Sequence, residues 1–339
     1  MCLGVSRLTF IPITFGSVED HTLQWPDLPP PAPVGEILPR LTLTKRRLKQ
    51  LELIQPVRGQ REARKQELAF SARPFVLCGL PLRPLPNHQL RYRRRNGNFF
   101  LHIVAHPNFG LPFGQGRLIP IWVAPLALRQ KNRTIHFDSA SQMLDFFCLA
   151  EDGQYYRRMV RGFQRIFAST IFFGTEDQPG GSRLIDWARF HFFDEIHLWF
   201  TKNDKSPSVS VSDHSNTITL SEALYTEIDQ HRIPMEREVV SALANSPGVV
   251  DFYIWIEWKS WVLKSGKTRV PLFSPGGLKE QLGCQIHPED RFLRRKLNQW
   301  LRVIRAHWPQ CPAEISTDGQ TLIISSSKPS PALHPAQIP

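Results

Sequence analysis

The sequence has few cysteines, and the five that it contains are widely separated: Cys2, Cys78, Cys148, Cys284 and Cys311. An odd, dispersed set argues against a disulfide framework and against a thiolate metal site, and it is typical of a reducing compartment. No run approaches the roughly 18 uncharged apolar residues that a membrane span needs. The first residues, MCLGVSRLTFIPITFG, lack a basic segment followed by an apolar block and a cleavage site. We therefore expect a cytoplasmic protein with no membrane partner.

Motifs of catalytic chemistry are also scarce. The segment SGKT at 265–268 lacks the first glycine of a phosphate-binding loop, because Trp261 stands in that position. His102 and His106 lie on a predicted strand, where they would be about 13 Å apart and could not share a metal ion. No His-apolar-His triplet is present, so a nicking-type initiator would lack its metal ligands.

Two carboxylate pairs and one tyrosine pair could be imagined at a nuclease centre: Asp194 with Glu195, Glu289 with Asp290, and Tyr155 with Tyr156. Helix starts and loops explain the acids more simply, because a carboxylate stabilises the positive end of a helix dipole. The tyrosines fall on a predicted helix, near DNA or core. We therefore expect no enzymatic activity, no metal and no cofactor.

Positive charge is plentiful. Lysine and arginine number 42 against 30 acidic residues, which gives a formal net charge of +12. Such an excess indicates a polyanionic partner, and nucleic acid is favoured over an acidic membrane surface. The length of 339 residues and the hydrophobic content of 41% allow two packed domains.

Much of this charge falls on one predicted helix, YYRRMVRGFQRIF at 155–167. At about 3.6 residues per turn, one face is apolar and comprises Tyr156, Met159, Val160, Phe163, Ile166 and Phe167. The other face is cationic and comprises Arg157, Arg158, Arg161 and Arg165. Because like charges on one stripe repel each other, the pattern indicates an anionic partner.

A second predicted helix, at 288–308, repeats the pattern. Its apolar stripe comprises Leu293, Leu297, Trp300, Leu301, Ile304 and Trp308. Its opposite face comprises Arg291, Arg294, Arg295, Asn298, Arg302 and Arg305. A single arginine-rich face is as often merely solvated, but two in equivalent positions favour DNA recognition. Guanidinium groups pair with phosphate or with guanine, and an asparagine amide can pair with adenine.

The order of predicted elements recurs along the chain. Asn96-Gly97 predicts a hairpin, the apolar segment from about 117 to 130 a helix despite two prolines, and residues 169–200 one long hairpin around Gly180-Gly181. In the second half, Ser246-Pro247 and Ser274-Pro275 each predict a helix start, and Asp318-Gly319 predicts a hairpin turn.

The segments TIHFD at 134–138 and TRVPLF at 268–273 predict short strands, and SASQMLDFFCLA at 139–150 predicts a helix. Together with the arginine-rich helices, these elements give the predicted order helix, strand, helix, helix, hairpin in both halves, which is that of a winged helix. We expect an α+β protein with two tandem winged-helix domains at 70–205 and 206–328, the second opening with the alternating segment before residue 220. A proline-rich and then basic N-terminal arm spans 1–69, and 329–339 is a disordered tail.

Two basic runs are predicted as accessory DNA contacts. One comprises Arg93, Arg94 and Arg95, beside Arg91, and the other comprises Lys45, Arg46, Arg47 and Lys49. Each run could equally be a solvated patch.

Several segments, taken in order, resemble the plasmid-encoded RepA family of replication initiators. They are NGNFFLHIVAHPNFGLPFGQGRLIPIWV at 96–123, YRRMVRGFQRIFASTIFFG at 156–174, ITLSEALYTEIDQHRIPMEREVVSALANSPGVVDFYIWIEW at 218–258, PLFSPGGLKEQLGC at 271–284 and FLRRKLNQWLRVIRAHWP at 292–309. The resemblance covers about 70–327, and the segment at 218–258 is the most similar.

This resemblance implies an initiator that binds repeated sites in a plasmid origin, controls plasmid copy number, helps to open DNA and recruits the host helicase and initiator. Double-stranded origin DNA and host replication proteins are the implied partners, and both a monomer and a homodimer stay open as the active form. The residues alone reach only a non-catalytic, sequence-selective DNA binder. A winged-helix transcriptional repressor and, less favoured, an origin nuclease or transposase remain the alternatives.

Overall fold

The computed structural model describes residues 67–86, 88–139, 141–150, 153–176, 185–197, 216–263, 265–284 and 289–327. The predicted arm before residue 67, with its basic run at 45–49, and the predicted tail at 329–339 lie outside these described residues. Helices and strands alternate along both halves of the chain, so the predicted α+β class is confirmed.

The first half of the chain contributes eight strands and four α-helices to the described residues. In chain order they are β1 (Leu68–Ala72), α1 (Arg73–Leu77), β2 (Arg91–Asn96), β3 (Phe99–Ala105), α2 (Leu118–Gln130), β4 (Thr134–Phe137), α3 (Ser141–Phe146), α4 (Gly153–Phe167), β5 (Ser169–Glu176), β6 (Ile185–His191), β7 (Phe193–His197) and β8 (Asn216–Leu220). A 3-10 turn, Gly114–Arg117, leads directly into α2.

Four of these strands form an antiparallel sheet in the order β2-β3-β5-β6. The predicted first hairpin is confirmed: β2 pairs with β3, and Gly97 adopts a φ of 59°, which a glycine accepts without steric cost. Leu101, Ile103 and Ile171 are fully buried on the inner face of the sheet. Arg91, Arg93 and Arg95 alternate onto the opposite face of the edge strand β2.

The predicted long hairpin at 169–200 is wrong in its second arm. Strand β6 pairs with β5, but β7 leaves this sheet and pairs with β8 in a separate sheet of order β4-β8-β7. Burial explains the departure, since Phe192 and Phe193 between the two strands are 0% and 2% exposed. The boundary predicted at 205/206 thus falls between two strands that pair in the structure.

The second half of the chain contributes a further set of elements. In chain order they are α5 (Glu222–His231), β9 (Arg232–Glu236), α6 (Arg237–Leu243), α7 (Pro247–Val262), β10 (Lys267–Pro271), α8 (Leu278–Gln281), α9 (Asp290–His307), β11 (Ala313–Ile315) and β12 (Thr321–Ser325). The last three strands form a sheet of order β10-β12-β11. The predicted turn at Asp318-Gly319 is confirmed, with a φ of 66° at Gly319.

One arrangement therefore occurs twice. The elements α2, β4, α3, α4, β7 and β8 follow the same order as α7, β10, α8, α9, β11 and β12, apart from the β5–β6 hairpin inserted after α4. In one sheet β8 lies between β4 and β7, and in the other β12 lies between β10 and β11. The last strand of each set of elements is thus the central strand of its sheet. The two arginine-rich helices, α4 and α9, occupy the same place in this order.

Three helices show how the prolines in the sequence affect where a helix begins. Helix α2 continues through Pro120 and Pro125; the first lies in the opening turn, where its missing N–H would have no intrahelical partner. Helix α7 begins at Pro247, as predicted. The start predicted at Ser274-Pro275 is wrong, because Gly277 N–H bonds the Ser274 carbonyl at 2.8 Å in a turn, and α8 begins only at Leu278.

A buried ion pair joins the two halves. Arg117, which precedes α2, forms a salt bridge with Asp251 on α7, and the side chains are 4% and 12% exposed. Its guanidinium also donates to the carbonyls of Leu80, Pro81 and Gly114 at 3.1, 2.9 and 2.8 Å. The arginine thus has acceptors around it, which a buried charge requires. Strand β1 of the first half also pairs with β9 of the second half.

We expect Arg117→Ala to lower the free energy of unfolding by about 3–5 kcal/mol, because it leaves the Asp251 carboxylate buried without a partner. Urea titration followed by circular dichroism would measure the change. The matched control is Arg133→Ala, which removes an exposed pair with Asp194 (45% and 44% exposed) and should cost about 0–1 kcal/mol. Equal small losses in both variants would contradict the role given to the buried pair.

Candidate nucleic-acid interface

Helix α4 presents three of its predicted arginines to solvent. Arg157, Arg158 and Arg161 are exposed, whereas Met159 and Phe163 on the opposite face are buried. Gly162 allows the helix to approach the core closely, because a Cβ added there would lie 3.0 Å from Ile119 Cδ1 and 3.6 Å from Gly116 Cα. Tight packing on one side therefore turns the charged side outward.

The end of α4 differs from the prediction at two residues. Phe167, predicted on the apolar stripe, is 42% exposed, because the stripe meets the core only as far as Ile166. Arg165 is half-buried: its Nε donates to the Phe109 carbonyl at 3.1 Å, and its guanidinium lies 4.5 Å from the centroid of the Phe113 ring. Burial, and then the neighbouring charge of Arg161, lowers the pKa of Arg165. Arg165 is therefore held against the protein more firmly than the other three.

Helix α9 buries its whole predicted stripe. Six apolar residues, each at most 6% exposed, face the core: Leu293, Leu297, Trp300, Leu301, Ile304 and Trp308. Helix α7 crosses close by, since a Cβ added at Gly248 would lie 2.5 Å from the Trp300 ring. Four arginines on the opposite face are exposed: Arg291, Arg295, Arg302 and Arg305.

Two of the exposed arginines also have protein partners. Arg291 forms an ion pair with Glu289 at 2.5 Å, in the turn that begins the helix. Arg305 donates from Nη2 to the Ala313 carbonyl at 2.7 Å, which links α9 to β11. These contacts restrict the two side chains near the ends of the charged face, whereas Arg295 and Arg302 lie between them.

Arg294 and Asn298 lie at the border of this face and are half-buried. The guanidinium of Arg294 is 5.5 Å from the centroid of the Phe273 ring, and a Cβ added at Gly319 would lie 2.7 Å from its Cδ and Nε. Asn298 Nδ2 donates to the carbonyl of Arg294 at 3.0 Å. Arg294 therefore packs against the β11–β12 turn, and the charged face and this turn are neighbours.

The three arginines of β2 predicted as accessory DNA contacts differ in exposure. Arg93 and Arg95 are exposed, but Arg94 is 4% exposed, so its prediction as a surface contact is wrong. Alternation along a strand explains the difference, because Arg94 points to the opposite side from its neighbours and enters the space between the two halves. Its Nη1 donates there to the Gln281 carbonyl at 3.1 Å.

The outer face of the four-stranded sheet adds Phe172 and Arg189, which the sequence did not single out, beside Arg93 and His102. Strand register aligns Arg93 with His102, His102 with Phe172, and Phe172 with the exposed Arg189. Burial, followed by the charges of Arg93 and Arg91, lowers the pKa of His102. Only strand pairing brings these positions together, and the one signal in the sequence was the alternation of polar residues.

Three of the four carboxylates considered for a nuclease centre have ion-pair partners. Asp194 pairs with Arg133 at 2.7 Å, Glu289 with Arg291, and Asp290 with Lys279 at 2.9 Å. Within the described ranges, no group of three or more histidine, cysteine, aspartate or glutamate residues is placed to hold a metal ion. No helix in the same ranges is long and apolar enough to cross a bilayer.

Comparison with known proteins bears on this surface. Residues 154–273, from the start of α4 to just beyond β10, match the family described as plasmid encoded RepA protein. This segment of the chain is therefore similar to that family. That region includes the whole arginine face of α4, whereas α9 lies beyond its end. No curated protein matches the chain.

Two solved structures resemble the fold at low identity. The first, of selenomethionine derivatives of domains 2 and 3 of RctB, is 11% identical, covers 75% of this chain and 97% of its own, and gives a TM-score of 0.49. The second, of RctB domains 2–3, is 10% identical, covers 73% of this chain and 95% of its own, and gives a TM-score of 0.42. At these values neither likeness bears on what this chain does.

We expect Leu297→Ala on α9 to destabilise the protein by about 2–5 kcal/mol, because Leu297 is fully buried and its truncation leaves a cavity. Arg302→Ala on the opposite face should change stability by less than about 0.5 kcal/mol. Chemical denaturation of both variants measures the difference. A similar loss for both would mean that the exposed face of α9 is packed against protein.

Proposed function

We propose that this protein is a plasmid replication initiator that binds repeated sites in the origin as duplex DNA. The observation that carries the proposal is the pair of exposed arginine faces, on α4 and α9, at equivalent places in two repeats of one element order. The match of residues 154–273 to the RepA family supports the role in replication over a role in transcription alone.

In this proposal each repeat is a winged-helix unit. The element order and the strand order β4-β8-β7 and β10-β12-β11 support that interpretation. In a winged helix, the third helix enters the major groove and the hairpin lies against the DNA backbone. Here α4 and α9 would be the third helices, and β7–β8 and β11–β12 the wings. The packing of Arg294 against the turn at Gly319 supports joint DNA contact by α9 and its wing.

The exposed arginines would serve both positioning and sequence recognition. Arg158, Arg295 and Arg302 have the exposure needed to reach phosphates or the O6 and N7 atoms of guanine. Roughly half or more of such contacts go to phosphate and sugar, which set the register of the helix in the groove. Two recognition helices on one face of the duplex should lie about 34 Å apart, or a multiple of this distance. The footprint on DNA should therefore span roughly two turns.

Later steps complete the proposal. After binding, the initiator helps to open the adjacent DNA and recruits the host helicase, in the cytoplasm and without catalysis of its own. The ion pairs of Asp194, Glu289 and Asp290 support the absence of a nuclease role. Both a monomer and a homodimer are compatible with two recognition helices in one chain.

We expect Arg158→Ala and Arg295→Ala each to weaken binding to an origin repeat by about tenfold or more, because a good guanidinium contact is worth about 1–3 kcal/mol. Their melting temperatures should stay near that of the unmodified protein, since exposed charges contribute little to stability. Fluorescence anisotropy with labelled duplex measures the affinity. Arg129→Ala, an exposed arginine on α2, is the matched control and should bind normally.

Salt provides a second readout of the same contacts. Affinity should fall by orders of magnitude between about 50 and about 200 mM salt, and each lost phosphate contact should lower the slope by about one. If both helix variants bind the repeats with normal affinity and salt slope, the assignment of the two faces to DNA is wrong.

A replication assay separates an initiator from a repressor. The gene supplied in trans should support replication of a plasmid that carries only the neighbouring direct repeats, and Arg295→Ala should reduce the copy number. Failure of the unmodified gene to support replication, with repeat binding intact, would favour the repressor. Reproducible nicking of supercoiled origin DNA by purified protein with a divalent metal would favour the nuclease instead.

A further inference from the structure

An exposed phenylalanine lies near the start of α9, the arginine-faced helix of the second half. Four large apolar side chains of the described residues are exposed: Phe109, Phe167, Val262 and Phe292. Isolated side chains of this kind are ordinary on a protein surface. Phe292 differs in its position, because it is 48% exposed and is the third residue of α9, whereas Phe167 and Val262 are the last residues of their helices.

Phe292 shares one side of α9 with polar residues. Arg295, Gln299 and Arg302 follow it at spacings of three, seven and ten residues, and all three are exposed. At about 3.6 residues per turn, these spacings keep the four side chains within roughly 80° of one another around the helix. We call this set, Phe292, Arg295, Gln299 and Arg302, the outer stripe of α9.

The residues beside the outer stripe are held by the protein itself. Arg294 packs against the turn at Gly319, and Asn298 Nδ2 donates to the Arg294 carbonyl at 3.0 Å. Asn298, which the sequence favoured for adenine recognition, therefore uses its amide within the helix. Gln299 presents the same amide group one residue farther along, on an exposed and longer side chain.

The charges around Phe292 favour DNA over a protein as the partner that covers its ring. The guanidinium of Arg291 lies 4.9 Å from the centroid of the Phe292 ring, and Arg295 follows one turn later. A protein surface that buried the ring would also bury these cations, which is costly unless each finds a counter-ion. The major groove accepts both kinds of group, because guanidinium groups pair there with guanine or phosphate while an apolar side chain contacts the methyl group of thymine.

The position of Phe292 along α9 is the one from which bases are contacted in related motifs. In helix-turn-helix proteins, the N-terminal residues of the recognition helix contact the base edges. Phe292 and Arg295 both lie in the first two turns of α9. Gln299 is about 10 Å farther along the helix than Phe292 at 1.5 Å per residue. Because base pairs are spaced about 3.4 Å apart, the two side chains address different base pairs.

We propose that α9 recognises A·T base pairs through two residues of the outer stripe. Phe292 contacts the 5-methyl group of a thymine, and Gln299 forms hydrogen bonds to N6 and N7 of an adenine in another base pair. This inference rests on the proposed function, in which α9 lies in the major groove. It adds to that function the two side chains that distinguish one base from another.

Replacement of each thymine of an origin repeat by deoxyuridine tests the role of Phe292, because it removes only the methyl group. At one position, the unmodified protein should bind the deoxyuridine duplex about fourfold more weakly, which corresponds to one apolar carbon group no longer removed from water. Phe292→Ala should bind both duplexes equally. Phe292→Leu keeps an apolar side chain and should retain part of the difference. Fluorescence anisotropy with labelled duplexes measures each affinity.

Replacement of each adenine by 7-deazaadenine tests the role of Gln299, because it removes the N7 acceptor. At one position, the unmodified protein should bind about fivefold more weakly or worse, since one of two paired hydrogen bonds is lost. Gln299→Ala should bind both duplexes equally. Asn298→Ala is the matched control and should keep the preference for adenine, because its amide is bonded to the Arg294 carbonyl.

Phe167→Ala is the matched control for Phe292. Phe167 is 42% exposed but ends α4, so this variant should keep the preference for thymine over deoxyuridine. The proposal for Phe292 is overturned if no deoxyuridine substitution weakens binding, or if Phe292→Ala keeps the full difference. The same two results with 7-deazaadenine and Gln299→Ala overturn the proposal for Gln299.

Arg295→Ala separates this inference from the proposed function. Weaker repeat binding by Arg295→Ala without any effect of the thymine methyl group or of adenine N7 would keep α9 on DNA and reject only the two base contacts. Normal repeat binding by Arg295→Ala, Phe292→Ala and Gln299→Ala alike would reject the placement of α9 on DNA, and the base contacts with it.

Discussion

The burial of one apolar stripe on α4 and one on α9 is the interaction on which the proposed interface depends. Like charges three or four residues apart destabilise a helix by about 0.2–0.5 kcal/mol per pair. Each buried leucine, isoleucine or phenylalanine contributes about 1.5–3 kcal/mol relative to exposure. With Phe163 and Ile166 buried on α4 and Leu297 and Ile304 on α9, burial exceeds the repulsion several times over. The core therefore holds the arginines in a row, and an anionic partner can relieve their repulsion.

Arginine has three different surroundings in this chain, and charge counting alone does not separate them. Arg158 and Arg295 are exposed, whereas Arg165 and Arg294 are half-buried beside aromatic rings. Arg94 and Arg117 lie between the two halves and are at most 5% exposed. The arginines of this basic sequence thus fall into two groups: those on the surface that we propose for a polyanion, and those that make internal contacts between the halves. Only the attraction to a polyanion increases with the net charge.

Periodicity predicted the long elements well, and the reason is local. Helices α4 and α9 each repeat apolar residues at the spacing of one helical face, and a proline at the first position marked the start of α7. Pairing between distant strands left no such signal. The departure of β7 from its hairpin, the pairing of β8 with β4, and the pairing of β1 with β9 each depend on contacts between residues far apart in sequence. Likewise, the turn before α8 depends on one backbone bond from Gly277 to Ser274.

By itself, the sequence determined the α+β class, the two arginine-faced helices and the excess of positive charge, because helical spacing and net charge are properties of neighbouring residues. The resemblance of its segments to the RepA family added the expected role. The tertiary structure alone decided that Arg94 turns inward while Arg93 and Arg95 stay outside, and that Arg117 meets Asp251. The side of a strand that faces another part of the chain is set by what packs there. That neighbour is distant in sequence, so no local pattern specifies it.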